Sequence, residues 1–385
     1  MGAFSESSSD GDGLAIVVEQ ASYLGGAERV GAAMVTRWPR AQVIVTHFED
    51  EPDDGLAPAW MRTARQIAIP GRRRTLFSPL YARRVARAEP VIADVVVLLS
   101  SVGWATAINT DGATPVVAYS AGLPRSVFRE YRSYLPDYPP LARALAITAL
   151  PAIRRHTLGI IRRADGVLAP SRWAAADLAA SIRRPVATVY PPVRVSELTF
   201  GERQPAGPIV AVARLRSRQK RIGVLVEAFR GLDRELVVAG TGPLLESLRR
   251  DAPANVRFMG GVSDPELTRL YRSAAALVCP SVEEFGIVMA EALACGLPVI
   301  APRAGGALEI VEHGRTGLLV ADAGPAGIRA AVLSLDRLEI DPGACRRSAE
   351  RFSEDVFARR MSAHLDAALG RTPVTEPGEV VAAVA

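Results

Sequence analysis

Two carboxylates, Glu283 and Glu291, stand eight residues apart around the run Phe285-Gly286-Ile287-Val288. An apolar stretch over residues 276–279 precedes them, so a strand should end there and a helix should open near Ile287. Gly286 would let the backbone approach a ligand closely, and the helix start would turn its unpaired N–H groups and positive dipole end toward an anion. A buried carboxylate needs donors, and the paired hydroxyls of a sugar or ribose supply them. Arg214 and Lys220 add a planar fork and a point charge, a pairing suited to a diphosphate. Of the 46 basic residues, 45 are Arg, and the single Lys falls at this spot. Two further glycine turns, Gly25-Gly26 and Ala304-Gly305-Gly306, follow apolar runs and could press backbone on the same kind of ligand. Each segment alone also fits a plainer role, as an ordinary loop, a basic surface turn or a capped helix with exposed acids.

The elements that must position these residues are legible as alternating β-branched runs and longer helical stretches, the pattern of βαβ units in a parallel sheet covered on both faces. In the first half, strands are predicted over residues 14–18, 43–46, 66–69, 94–99, 115–119, 166–169 and 188–190. In the second half they fall at 209–213, 236–239, 256–259, 276–279, 298–301 and 317–320. The predicted organisation is α/β: a disordered tail (1–13), a Rossmann-like domain (14–195), a Pro- and Gly-bearing linker (196–208), a second Rossmann-like domain (209–351), a final helix (352–370) and a flexible tail (371–385). Ligands of such domains bind at the carboxyl ends of the strands, here in loops expected to face a cleft between two doubly wound domains.

Composition narrows the class. With 385 residues, 49% of them hydrophobic and 23% charged, the chain is an ordinary packed protein long enough for more than one domain. The three cysteines, Cys279, Cys295 and Cys345, are too scattered for a disulfide framework or a metal motif. No uninterrupted apolar run reaches transmembrane length, and residues 1–13 lack the pattern of a signal peptide, so the expected location is cytoplasmic. Charge is one-sided: residues 62–194 carry 20 Arg against 7 acids, a net +13, with clusters that include Arg72–Arg74, Arg154–Arg155, Arg162–Arg163 and Arg183–Arg184. Nucleic acid, anionic lipid headgroups and phosphorylated substrates all suit such a field, as do solvated helix faces in an Arg-preferring chain. No recognisable nucleic-acid module or aromatic stacking series accompanies it. Neither Gly11-Asp12-Gly13 nor Gly240-Thr241-Gly242 extends to the GxGxxG of a dinucleotide dehydrogenase.

Taken together, the second-half segments resemble the retaining GT-B glycosyltransferases of the large family 4, the group 1 glycosyl transferases. Glu283 and Glu291 match that family's EX7E motif, Phe285 to Val288 its FG(I/L)V turn, and Arg214 with Lys220 its basic pair. The resemblance implies that Glu291 holds the nucleotide ribose and Glu283 the donor sugar hydroxyls. Arg214, Lys220 and the backbone of Phe285, Gly286, Ile287 and Val288 would hold the diphosphate, with Gly25 and Gly26 on the donor side of the first domain. It implies no metal and no cofactor beyond the nucleotide-sugar co-substrate, cations and helix dipoles neutralising the departing diphosphate. The catalytic set would be Glu283, Arg214 and Lys220.

The first domain is similar to the mannosyltransferase-like branch, through Tyr190-Pro191-Pro192-Val193, Pro170-Ser171-Arg172 and the strand end Tyr119-Ser120 to Arg125. That makes Tyr119, Ser120 and Arg125 acceptor-side candidates and GDP-mannose the favoured donor, with UDP-sugar-dependent transfer to a small molecule as the alternative. The family resemblance also implies that the final helix, 352–370, crosses back to the first domain. The branch's His after this Tyr is absent; Ser120 and Ala121 stand there, and among the four histidines His47 is the candidate substitute. The expected activity is sugar transfer to a hydroxyl acceptor, lipid-linked or a cell-envelope glycan, with a peripheral position on an anionic membrane face and no nucleic-acid partner. A nucleotide-sugar-binding scaffold with little catalysis is the reading from another class.

Overall fold

The computed structural model describes residues 11–19, 26–46, 64–66, 83–100, 107–123, 127–128, 131–134, 139–201, 204–372 and 380–381. The chain divides into two compact units, Met1–Pro192 with Asp355–Ala385, and Val193–Glu354.

In the first unit, β1 (Leu14–Val18), β2 (Gln42–Val45), β3 (Arg65–Gln66), β4 (Val95–Ser100), β5 (Val116–Ser120), β6 (Gly166–Ala169) and β7 (Val186–Thr188) pair in parallel. With β14 (Val380–Val381) at one edge, the sheet order is β14-β7-β6-β5-β4-β1-β2-β3, so connections run outward in opposite directions from the β1/β4 boundary. β1 is buried along its whole length because both faces are covered. Leu14, Ile16 and Val18 join a cluster that includes Phe357, Met361 and Leu365 of the helix Glu354–Ala368, while Ala15 and Val17 face the opposite cluster with Val96 and Leu98.

Two strands depart from the sequence expectation, and residues 67–69 of the strand expected over 66–69 lie outside the described residues. β7 begins two residues earlier than expected, because Leu168 and Ala169 pair with Ala187 and Thr188. The short β14 (Val380–Val381), inside the segment expected to be a flexible tail, pairs antiparallel with β7. Two residues carry no periodicity from which to read a strand.

The second unit holds β8 (Ile209–Val212), β9 (Leu236–Ala239), β10 (Val256–Gly260), β11 (Ala276–Val278), β12 (Val299–Pro302) and β13 (Gly317–Val320), in the order β10-β9-β8-β11-β12-β13 and parallel throughout. All six were expected within a residue of these bounds at each end. The sheet order reverses between β8 and β11, which pair through Ile209 with Ala276 and Val210 with Leu277.

Arginines close several helix ends. Arg346 donates to the carbonyls of Val195, Leu198 and Ala294, tying the strand-free entry segment to the last turn of the helix Ile287–Ala294. Three charge-assisted bonds from one planar fork cannot be reproduced by a point charge. Arg346→Ala is therefore expected to lower unfolding stability by about 3 kcal/mol, and Arg346→Lys to recover less than half of that, both read from urea midpoints. In the first unit, burial and then the charge of Arg360 hold the His364 imidazole down at about 4, and its Nε2 has no hydrogen-bond partner. The unfolded chain binds that proton near pH 6.5 and the folded one does not. This contribution should therefore be complete above pH 6.5 and fade as pH falls toward 4, by roughly 2–3 kcal/mol. His364→Leu should flatten the stability profile across that window.

Candidate functional site

The reversal of strand order places two loops side by side at the carboxyl ends of β8 and β11. After β8 the chain runs through Arg214 into a single 3-10 turn, Arg218–Lys220, and then into the helix Ile222–Phe229. After β11 it passes Cys279, Ser281 and Glu283 to the helix Ile287–Ala294. Lys220 Nζ donates to both carboxylate oxygens of Glu283, at 2.8 Å each, across the boundary. The side chains are 32% and 19% exposed, so the pair is half-buried yet reachable. Ser281 Oγ also donates to Glu283 Oε1, fixing the carboxylate from its own loop. Burial and then the Glu283 charge push the Cys279 thiol up to about 12, which keeps that neighbour protonated and inert.

Close backbone contact holds these loops. Gly286 sits at φ 101°, a left-handed conformation, and caps the helix Ile287–Ala294 without a side-chain bond, so the first helical N–H groups are left to other acceptors. Gly306 donates to Glu283 O at 2.9 Å, and a Cβ at Gly306 would lie 2.1 Å from Phe285 O. The turn after β12 thus packs backbone against backbone behind the loop that carries Glu283. The Gly240-Thr241-Gly242 turn supports the β8 loop in the same way, with Leu215 N donating to Thr241 O at 2.8 Å.

The structure separates the expected site residues into groups. Lys220 and Glu283 meet directly. Arg214 is exposed on the loop between β8 and that turn. Glu291, 4% exposed, lies inside the helix Ile287–Ala294 and accepts a long 3.4 Å bond from Tyr271 Oη. Phe285 turns its ring inward, edge-on to Phe352 with centroids 5.1 Å apart, so only its backbone lies at the loop surface. Ile287 and Val288 are half-buried in the first turn.

In the first unit, Gly26 opens the helix Gly26–Arg37 beside the β1/β4 boundary. Tyr119, read from the sequence as an acceptor-side candidate, is spent on the core. It is 5% exposed, edge-on to Phe357, and its hydroxyl donates to Val189 O at 2.9 Å. Ser120 is buried as well, bonded within the turn to Gly122. Ser171 caps the helix Arg172–Ile182, accepting from Ala174 N, which gives the Pro170-Ser171-Arg172 segment a structural role. Gly25, Arg125, His47 and the Arg72–Arg74 cluster lie outside the described residues. Among the described residues no group of three His, Cys, Asp or Glu side chains is placed to hold a metal ion.

Sequence reasoning missed Ser281, Tyr271 and Arg221. Ser281 sits two residues before Glu283 and could have been found from that spacing; Tyr271 and Arg221 carry no such signal. Arg221 holds φ 52° and ψ 26°, a left-handed conformation disfavoured for a residue with a Cβ, and its Nη1 donates to Pro280 O at 3.3 Å. The guanidinium thus ties the β8 loop to the β11 loop next to the ion pair.

Two doubly wound, mainly parallel sheets, each reversing order at its first strand, are the GT-B architecture of glycosyltransferases. The Anabaena protein HepE, whose structure was solved with UDP and glucose, shares this fold at a TM-score of 0.65 with 17% identity over 91% of this chain and 99% of that one. Residues 207–336 match the family described as glycosyl transferases group 1. An uncharacterised glycosyltransferase of Methanocaldococcus jannaschii is 37% identical over 161 residues, 39% of this chain and 40% of that protein. A GDP-mannose-dependent alpha-(1-6)-phosphatidylinositol monomannoside mannosyltransferase of Mycobacterium tuberculosis is 43% identical over 98 residues, 22% of this chain and 26% of that protein. The chain therefore spans 40% or less of the length of these two relatives.

The Arg221 geometry gives a direct test. Glycine relieves the left-handed strain and alanine does not, while both lose the bond to Pro280. Arg221→Gly is expected to be more stable than Arg221→Ala by about 1 kcal/mol in urea unfolding.

Proposed function

We propose that this protein is a retaining glycosyltransferase that moves a hexose, mannose in the favoured reading, from a nucleotide diphosphate donor to a hydroxyl acceptor. The observation that carries it is the half-buried Lys220–Glu283 pair set at the β8/β11 reversal, in front of a helix whose first N–H groups have no side-chain cap. An ammonium has three N–H donors, and two of them go to Glu283. The third is assigned to a diphosphate oxygen, with Arg214 as a fork on the same group and the backbone of Gly286, Ile287 and Val288 at its other side. Glu283 then accepts hydroxyls of the transferred sugar, and Glu291, backed by Tyr271, accepts ribose hydroxyls.

Catalysis in this reading is stabilisation of the departing diphosphate by fixed cations and helix N–H groups. These act without reorganising as charge develops, and the reading needs no metal or other cofactor. The donor phosphate serves as base for the incoming hydroxyl on the face it leaves, so the anomeric configuration is kept. Gly26, at the start of its helix, is the first unit's donor-side residue in this scheme.

GDP-mannose is favoured by the resemblance of the Tyr190-Pro191-Pro192-Val193 segment and by the mycobacterial relative's named donor. A UDP-sugar is the second reading, favoured by HepE, which was solved with UDP-glucose and shares the whole architecture.

Thermal-shift titration with GDP, UDP, ADP, GDP-mannose and UDP-glucose separates them. A ligand at about 100 times its Kd adds about 2.7 kcal/mol, an upward shift of roughly 5–10 °C for a unit of this size. One nucleotide series should stabilise wild type, and Lys220→Ala or the near-isosteric Glu291→Gln should remove most of the shift. No stabilisation by any nucleotide would reject the transferase reading; stabilisation without turnover on any acceptor would favour a nucleotide-sugar-binding scaffold.

A further inference from the structure

The helix Pro140–Ile161 in the first unit runs for 22 residues with no Asp or Glu in it. One face, with Ala146, Leu150, Ile153 and Ile160, is buried against the unit's own core. The other face is exposed and carries almost no charge. Ala144, Leu145, Ile147, Thr148, Ala152 and Arg155 lie along it, with Leu145 61% and Ile147 47% exposed. At 100° per residue these positions form one stripe, framed by Leu145 on one rim and Ile147 on the other. Pro151 also lies on this face, where the backbone bond it removes is lost on the exposed side.

A helix whose exposed face is largely apolar favours a cover for that face. The cover here can be read from the charges. Arg154 is turned inward and donates to the carbonyls of Val127 and Phe128. Arg155 points outward from the middle of the exposed stripe, and Arg163 follows just past the helix end. The side chains of both make no hydrogen bond or ion pair with the described residues. The nearest acid after the helix, Asp165, already accepts from Val116 N at 2.8 Å. Among the described residues the stripe therefore offers apolar contact with positive charge alone, the combination that an anionic bilayer surface takes. Among the described residues no helix is long and apolar enough to cross a membrane, so this one would lie flat in the interface.

We propose that the exposed face of Pro140–Ile161 docks the first unit on an anionic phospholipid bilayer, with Leu145 and Ile147 entering the acyl boundary and Arg155 meeting headgroup phosphates. One consequence, which rests on the transferase reading, is that the hydroxyl acceptor is carried on a lipid in that surface. The docking itself needs no nucleotide, so it can fail while donor binding survives, and the reverse.

The test is co-sedimentation of the full chain, without nucleotide, with vesicles of phosphatidylcholine alone and of phosphatidylcholine mixed with phosphatidylglycerol, at low and high salt. Wild type should sediment with the mixed vesicles, less so at high salt, and only weakly with phosphatidylcholine. Leu145→Glu combined with Ile147→Glu should weaken binding by at least about tenfold. Arg155→Glu should weaken it by about tenfold at low salt and little at high salt. Because all three side chains are exposed, thermal midpoints should stay within a few degrees of wild type. The proposal is overturned if wild type ignores the mixed vesicles, if it binds neutral vesicles equally, or if the double variant binds like wild type. Self-association without vesicles that the double variant abolishes would also overturn it, since a second copy of the chain would then cover the stripe.

Discussion

Everything at the candidate site depends on one ion pair between residues 63 positions apart, Lys220 and Glu283, held where the second sheet reverses its strand order. Half-burying two opposite charges costs solvation that their attraction repays only when geometry is fixed, and removing either would strand the other. That requirement explains the local backbone. The β8 and β11 loops must end level, which the Ile209–Ala276 and Val210–Leu277 register provides. The β11 loop must then stay in place, which it does because Gly306 lets the turn after β12 touch it atom to atom. Arg221 accepts a disfavoured φ at the same boundary, a cost of the kind that persists only where surrounding contacts over-determine it.

Much of this was legible in sequence because strands buried on both faces read as unbroken apolar runs. The six strands of the second unit were found that way, and the helix after Gly286 by its glycine and the apolar run that follows. Side-chain direction was not legible, for the same reason. When both faces of a strand are buried, alternation says nothing about which residue looks toward a ligand, so Tyr119 at a strand end looked like a site residue. It is a core residue with a satisfied hydroxyl. Tyr271 was invisible because it reaches Glu291 from another helix, a contact that only tertiary packing creates. The two-residue pairing of β14 with β7 is likewise a property of the folded sheet, since edge pairing needs backbone groups more than side-chain pattern.

The basic bias of the first half changes meaning once the arginines are placed. A count of +13 over residues 62–194 treats every guanidinium as part of one outward field. Several are committed elsewhere. Arg162 donates to Ser181 and Ile182 at the end of the helix Arg172–Ile182, and Arg184 to Arg162, Ala164 and Asp165 just past the end of Pro140–Ile161. Arg329 does the same for the helix Ile222–Phe229, through Ala228, Arg230 and Gly231. Helix carboxyl ends carry partial negative charge and unpaired carbonyls, and a planar fork answers both at once. A chain with 45 Arg and one Lys has that fork available at nearly every basic position. The same reasoning raises the weight of the arginines that are left over. A cation bonded to carbonyls is fixed in direction and partly neutralised by the dipole it caps. Among the described residues Arg155 and Arg163 have no such duty, so their charge is open to whatever approaches the acid-free helix. The electrostatic argument therefore rests on the position of these few side chains, and total charge could not have supplied it.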